Sequence, residues 1–206
     1  MYKVKICGIT SADIIPQLNA LTPDYVGFIM TAGFKRSVTA GFVRECAALL
    51  SPKIERVGVF VNDDVNFIAS LVREGVIDVV QLHGDEDGEY IRRLKELSPV
   101  TVIKSVGVAG DAVMPYPDEC DIVLLDAYDR VARGGTGKSV PWRRYGQIDK
   151  RIILAGGLTP QNVRAALSAV RPWGVDTSGG VETENKKDAA KISQFIANVR
   201  ECDNYE

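Results

Sequence analysis

Two glycine pairs near the C-terminal end of the chain carry the plainest chemical signal. Arg151-Ile-Ile-Leu-Ala155 breaks into Gly156-Gly157-Leu158-Thr159-Pro160, and Trp173-Gly-Val-Asp-Thr177 breaks into Ser178-Gly179-Gly180. Glycine has no Cβ, so backbone N–H groups can approach a ligand closely. A helix N-terminus adds unpaired donors and the positive end of a dipole. Each run reads as a buried strand that passes through glycine into a helix, and two such turns in succession suit a phosphate. The ligand expected here is a phosphorylated small molecule. Elsewhere, titratable and polar side chains stand at the ends of apolar runs: Cys7, Gln81, His83, Asp126 and Asp176. Arg36 lies in the polar segment Thr31-Ala-Gly-Phe-Lys-Arg-Ser-Val38.

These residues need strands to hold them. Apolar runs ended by turn or polar signals give eight candidates, over 2–6, 25–30, 56–61, 76–82, 100–105, 122–125, 151–155 and 174–176. They are near-continuous in Val, Ile and Leu rather than alternating, as in strands buried on both faces. Helical periodicity fills 39–50, 64–74, 86–97, 159–170 and 188–199, with Thr159 an N-cap candidate before Pro160 and Gly75 a stop signal. The first and fifth connections look weak as helices, and Met114-Pro-Tyr-Pro117 is expected to cap a short one. Strands alternating with helices argue for an α/β fold with a parallel sheet. A count of eight favours a (β/α)8 TIM barrel, one domain over 1–206, with the phosphate grip in the loops after the seventh and eighth strands. A doubly wound open sheet competes, but Cys7-Gly8-Ile9-Thr10 is not a GxGxxG turn.

In such a barrel the C-terminal strand ends carry the chemistry. Cys7 is either a small buried hydrophobe or a thiol exposed by the turn that Gly8 permits. Asp126 ends the run Asp121-Ile-Val-Leu-Leu, where an ionised carboxylate loses hydration unless partnered. A helix cap is the plain alternative, but Ala127-Tyr128 and Gly134-Gly-Thr-Gly137 do not read as an immediate helix. Arg36 in isolation is one more solvated charge beside Lys35. His83 before Gly84-Asp85-Glu86 either faces the site or orients a helix-start loop, and Gln81 fits the polar upper layer of a barrel interior.

The bulk properties exclude other classes. With 206 residues, 46% hydrophobic, the chain can bury a sizeable core. Its 25 basic and 27 acidic residues leave a net charge of -2, with no basic stripe of the kind nucleic acid requires. The N-terminus lacks the apolar region of a signal peptide, and no run approaches the roughly 18 apolar residues of a membrane span. A cytoplasmic protein without membrane partners is expected, with a monomer preferred over a homodimer. Cys7, Cys46, Cys120 and Cys202 are scattered, and His83 is the only histidine, so no metal site is expected.

Taken together, the chain resembles phosphoribosylanthranilate isomerases along nearly its whole length. The resemblance rests on Lys5-Ile-Cys-Gly-Ile-Thr10, Gly27-Phe28, Arg36, Val57-Gly-Val-Phe-Val-Asn62, Val80-Gln-Leu-His-Gly84, Leu124-Leu-Asp-Ala127, Gly134-Gly-Thr-Gly-Lys138, Leu154-Ala-Gly-Gly-Leu-Thr-Pro160 and the segment from Gly174 to Glu182. Three departures stand out. Phe34-Lys35 replaces a usual Ser-Pro, Pro141-Trp142 a usual Asp-Trp, and Asn185 a common glycine.

The resemblance implies an Amadori rearrangement of N-(5-phosphoribosyl)anthranilate to an open-chain 1-deoxyribulose 5-phosphate, without a cofactor. It implies Asp126 as general acid and Cys7 as general base, with the thiolate fraction of Cys7 above that of an ordinary cysteine. Arg36 would pair with the anthranilate carboxylate. Gly156, Gly157, Ser178, Gly179 and Gly180 would hold the phosphate, Asp176 would bond ribose hydroxyls, and Gln81 and His83 would line the substrate. A related histidine-pathway isomerase would show aspartates at the first and fifth strand ends, where this chain has Cys7 and Ser105. A non-catalytic phosphosugar-binding barrel is the alternative of a different class.

Overall fold

In the computed structural model, which describes residues 1–109, 112–126 and 148–203, all eight expected runs form strands that pair with their neighbours. The strands are β1 (Lys3–Cys7), β2 (Tyr25–Ile29), β3 (Glu55–Phe60), β4 (Val79–Leu82), β5 (Thr101–Ala109), β6 (Ala112–Val113), β7 (Ile122–Asp126), β8 (Arg151–Ala155), β9 (Gly174–Thr177), β10 (Glu182–Thr183) and β11 (Lys186–Lys187). The helices are α1 (Ile15–Leu21), α2 (Ala40–Leu49), α3 (Val65–Arg73), α4 (Gly88–Leu97), α5 (Val163–Val170) and α6 (Ala189–Cys202). Strands β1 to β5 and β7 to β9 run parallel. The β4–β5 and β1–β9 pairings close the ladder on itself as a (β/α)8 barrel.

Local chemistry sets the helix starts. The Thr39 hydroxyl accepts from the Phe42 N–H, the Asp64 carboxylate from Asn66 and Phe67, and the Asp188 carboxylate from Ala190 and Lys191. Gly75, at φ 65°, ends α3 as expected. Its N–H reaches the Val72 carbonyl and that of Val76 reaches Leu71, the paired bonds of a Schellman motif.

Three expectations are corrected. The span 114–117 caps no helix; β5 runs on to Ala109, turns back through β6, and an irregular segment leads to β7. Helix α5 starts at Val163 rather than 159, because Asn162 folds back, accepting from the Thr159 N–H and donating to the Gly157 carbonyl, and holds 159–162 as a turn. The second glycine pair enters a single 3-10 turn, Gly179–Val181, and not a full helix.

Register decides what faces inward. Cys7 pairs with Gly27, Gly27 with Val57, Val57 with Val79, and the same parity continues through Ile103, Ile122 and Ile153 to Gly174. Val57, Val79, Ile103, Ile122, Leu124 and Ile153 form the dry middle of the barrel interior. A larger core, with Val4, Ile6, Phe28, Phe60 and Val123 among its members, lies between strands and helices. Burying an Ile or Leu side chain contributes roughly 1.5–3 kcal/mol. This double core holds the strand ends rigidly enough to position reacting groups.

Candidate active site

The inward positions above the dry layer are polar. On β1, Cys7 is buried at the strand end, and Gly8, at φ 79°, turns the chain away. The Gly8 and Ile9 N–H groups both donate to the Gly27 carbonyl, at 2.9 and 3.0 Å. Gly27 itself makes the pocket for the thiol. A Cβ there would stand 2.7 Å from Cys7 Sγ and 3.1 Å from Lys5 Nζ.

Lys5, two residues before Cys7, shares its inward parity and is fully buried. Its ammonium donates to Asp176 Oδ1 at 2.9 Å, and its Nζ and Cys7 Sγ both border the space beside Gly27. Burial pushes the ammonium down, but Asp176 and Cys7 outweigh it and hold Lys5 above its usual value. Asp176 therefore spends one carboxylate oxygen inside the barrel. For Cys7, burial dominates and raises the thiol, against the lowering pull of Lys5 and Lys187. The thiolate fraction of the resting protein is thus below that of an ordinary cysteine, opposite to the expectation from sequence.

Across the mouth, Asp126 ends β7 with its side chain 36% exposed, so it is reachable from the mouth. Its Oδ2 lies 3.9 Å from His83 Nε2. The Gln81 amide bonds His83 Nδ1 at 3.0 Å, and the Ser105 hydroxyl lies 3.4 Å from Nε2. With the amide donating, the neutral ring carries its proton on Nε2, toward Asp126. Burial lowers His83, with Asp126 opposing, so the ring is neutral at physiological pH. Behind it, the buried Lys104–Glu86 pair at 2.7 Å ties the loop down, with Glu86 also accepting from the Asn62 and Gly84 N–H groups.

The glycine loops close a third side. Gly156 and Gly157 take φ of 92° and 66°, a region that other residues enter at a cost. The Thr177 hydroxyl donates to the Leu158 carbonyl at 2.7 Å, and a Cβ on Gly180 would collide with that same oxygen. Gly180 thus lets the two loops touch. The β10–β11 hairpin turns through Glu184 and Asn185 at φ 51° and 63°, so Asn185 takes a left-handed conformation, which asparagine tolerates better than most residues. Lys35 Nζ donates to Asn185 Oδ1 at 2.7 Å, and two of the three departures from the family pattern meet across the mouth. The third, at Pro141-Trp142, and the segment Gly134–Lys138 lie outside the described residues.

The hairpin delivers two charged side chains that sequence reading did not single out. The Lys187 side chain is buried and donates to the Ser178 carbonyl at 3.0 Å and to Glu182 Oε1 at 2.7 Å. Glu182 also holds Arg36, through Nε at 3.0 Å and Nη2 at 2.6 Å. Burial alone would raise Glu182, but Arg36 and Lys187 keep it below the usual carboxylate range. Arg36 is therefore no loose surface charge. It lies over Gly8, with Nη2 3.8 Å from where a Cβ on Gly179 would stand. Its inherited rigidity leaves Nη1 to meet a carboxylate. Lys5 and Glu182 carried one detectable signal each, a charge within an apolar strand and a charge beside the glycine pair, whereas Lys187, in the largely charged run 184–188, carried none.

This is a mouth with a thiol, a carboxyl, a fixed guanidinium and a glycine-lined corner. The described residues contain no group of three or more His, Cys, Asp or Glu side chains that could hold a metal ion, and no helix among them is long and apolar enough to cross a membrane. The family model for N-(5'-phosphoribosyl)anthranilate isomerase matches residues 4–198. The N-(5'-phosphoribosyl)anthranilate isomerase of Acetivibrio thermocellus is 40% identical, over 98% of each chain. The crystal structure of phosphoribosyl anthranilate isomerase from Thermotoga maritima superposes with a TM-score of 0.84 at 35% identity, covering 98% of this chain and all of that one. Another structure of the isomerase, in complex with reduced 1-(o-carboxyphenylamino)-1-deoxyribulose 5-phosphate, gives a TM-score of 0.81 at 33% identity over 98% and 100% of the two chains. Fold, strand-end chemistry and similarity along the whole chain agree: the chain belongs to the N-(5'-phosphoribosyl)anthranilate isomerase family.

Proposed function

We propose that the protein catalyses the family's Amadori rearrangement, with Asp126 as general acid and Cys7 as general base. The observation that carries this reading is the placement of Cys7 and Asp126 at inward positions of β1 and β7, at one end of the barrel, beside the two glycine loops. Asp126 protonates the furanose ring oxygen of N-(5'-phosphoribosyl)anthranilate, the C1′–O bond breaks, and a Schiff base forms. Cys7 removes the proton from C2′, and the resulting enolamine relaxes to the ketone. C1′ is reduced as C2′ is oxidised, so the rearrangement balances within the substrate and asks for no external redox partner. Groups of this kind typically contribute about 10²–10⁴-fold each.

Binding follows from the same mouth. The ligand named with the solved relative carries a carboxylate and a phosphate at opposite ends. Here Arg36, steadied by Glu182, takes the carboxylate. Gly156, Gly157, Ser178, Gly179 and Gly180 supply backbone donors for the phosphate, with Lys187 beneath Ser178 adding positive charge. His83 and Gln81 line the sugar beside Asp126, and the outer oxygen of Asp176 faces its hydroxyls.

The test is the loss of anthranilate fluorescence when the purified protein meets freshly generated phosphoribosylanthranilate. Rapid, protein-dependent decay supports the isomerase. Tight binding of the phosphosugar without decay would instead mark a binding barrel that has lost turnover.

A further inference from the structure

A buried thiol is a poor base by itself, because removing its proton leaves an anion in a dry interior. Something must compensate the charge that Cys7 carries before it takes up the C2′ proton. Around the thiol stand Lys5 from its own strand, Asp176 from β9, Lys187 and Arg36 from the loops above, and His83 and Asp126 across the mouth. Arg36 and Lys187 are both drawn to Glu182. Lys5 is different. It is buried on the same inward face two residues before Cys7, and its Nζ shares with Sγ the space that Gly27 leaves.

We propose that Lys5 is a positioning residue for the base: its ammonium, tethered by Asp176, supplies the counter-charge for the Cys7 thiolate and fixes where Sγ points. This inference rests on the assignment of Cys7 as base. Three features carry it. A lysine is costly to bury, yet Lys5 occupies an inward position where it pairs with one carboxylate and faces the space that the thiol also borders. Asp176 supplies only one of the three acceptors that an ammonium can use. The absence of a side chain at Gly27 is what allows the cation and sulfur to meet. Asp176 acts in two opposed ways, anchoring Lys5 while repelling a thiolate. The two carboxylate–lysine pairs, Asp176–Lys5 below and Glu182–Lys187 above, bracket Cys7 on both sides.

Opposed signs make the test sharp. The rate of Cys7 alkylation by iodoacetamide, resolved by peptide mass spectrometry, is followed from pH 6 to 10 in the wild type, Lys5→Met and Asp176→Asn. The buried Cys46 and Cys120 report whether each variant remains folded. Lys5→Met is expected to slow Cys7 alkylation about tenfold or more at pH 8 and to move its inflection upward, a tenfold change corresponding to one pH unit. Asp176→Asn, which keeps the lysine, is expected to speed alkylation and move the inflection down. In turnover, Lys5→Met lowers kcat more than it raises KM and shifts the pH profile the same way.

A Cys7 profile unmoved by Lys5→Met overturns the proposal. If that variant exposes Cys46 and Cys120, Asp176→Asn decides alone, and an unaccelerated Cys7 overturns it. The alkylation assay needs no substrate. Shifted profiles without turnover in the wild type would therefore sink the isomerase assignment while leaving the Lys5–Cys7 pair intact.

Discussion

At the scale of single residues, the site depends on side chains that are absent as much as on those present. Gly27 leaves the space into which Cys7 Sγ and Lys5 Nζ project. Gly27→Ala is expected to push the thiol aside and lower kcat by about 10²-fold, the effect of roughly 1 Å of misplacement, with KM little changed. Overpacking of this kind costs stability of about 1–3 kcal/mol, so thermal melting would show a folded protein. Arg36→Ala should raise KM about tenfold or more, the effect of losing a charge-assisted bond of roughly 1.5–3 kcal/mol, with the melting temperature little moved. Glu182 retains Lys187 when Arg36 is gone, and an unchanged KM would remove Arg36 from the binding site. Cys7, His83 and Asp126 were legible in the sequence because each ends an apolar run. Lys5 was not singled out, although two-residue alternation places it on the inward face with Cys7. A lone lysine in a strand looks like surface until register makes it interior.

At the scale of elements, local chemistry was readable and long-range chemistry was not. Thr39, Asp64 and Asp188 cap α2, α3 and α6 through their own side chains, and such caps are written within four residues. The turn at 159–162 was missed because Asn162 bonds backward to Gly157 and to the Thr159 N–H, which competes with a helix start at Pro160. The extension of β5 and its turn into β6 replaced an expected short helix, since the prolines of 114–117 stop a helix without specifying what comes instead. The contact between the two glycine loops was likewise hidden, as it joins Gly180 to Leu158 across two strands. Gly180→Ala is expected to part these loops and raise KM for the phosphorylated substrate at least about tenfold, consistent with losing one or two charge-assisted bonds. Inorganic phosphate as a competitive inhibitor should weaken in parallel. A variant with wild-type KM and phosphate inhibition would mean that the phosphate sits elsewhere.

At the scale of the whole molecule, eight apolar runs announced a barrel, but its closing seam appears only when β1 meets β9. There Lys3 pairs with Gly174, and a Cβ at 174 would stand 2.8 Å from the Lys3 carbonyl oxygen. Asp24 ties this seam to the last helix, binding Lys3 Nζ at 2.7 Å, the Val4 N–H at 2.9 Å and Arg200 Nη2 at 3.1 Å. Burial pushes its carboxyl up, but these three bonds outweigh that and hold it below the usual range. A lowered carboxyl contributes stability that is present above its unfolded value, about 3.9, and is lost as pH falls through the lower folded value. Asp24→Ala should cost about 1–3 kcal/mol at pH 7, and urea unfolding should show the gap from wild type closing below pH 4. A gap independent of pH would mean that Asp24 contributes by packing alone.

Across these scales, the proposed chemistry divides the proton transfers between one buried thiol and one carboxyl at the barrel mouth. The most direct measurement is kcat for phosphoribosylanthranilate in purified, folded Cys7→Ala and Asp126→Ala beside the wild type. Each variant is expected to lose at least about 10²-fold, as for a missing general acid or base, and still to bind the substrate. Near-wild-type turnover from either folded variant would contradict that division.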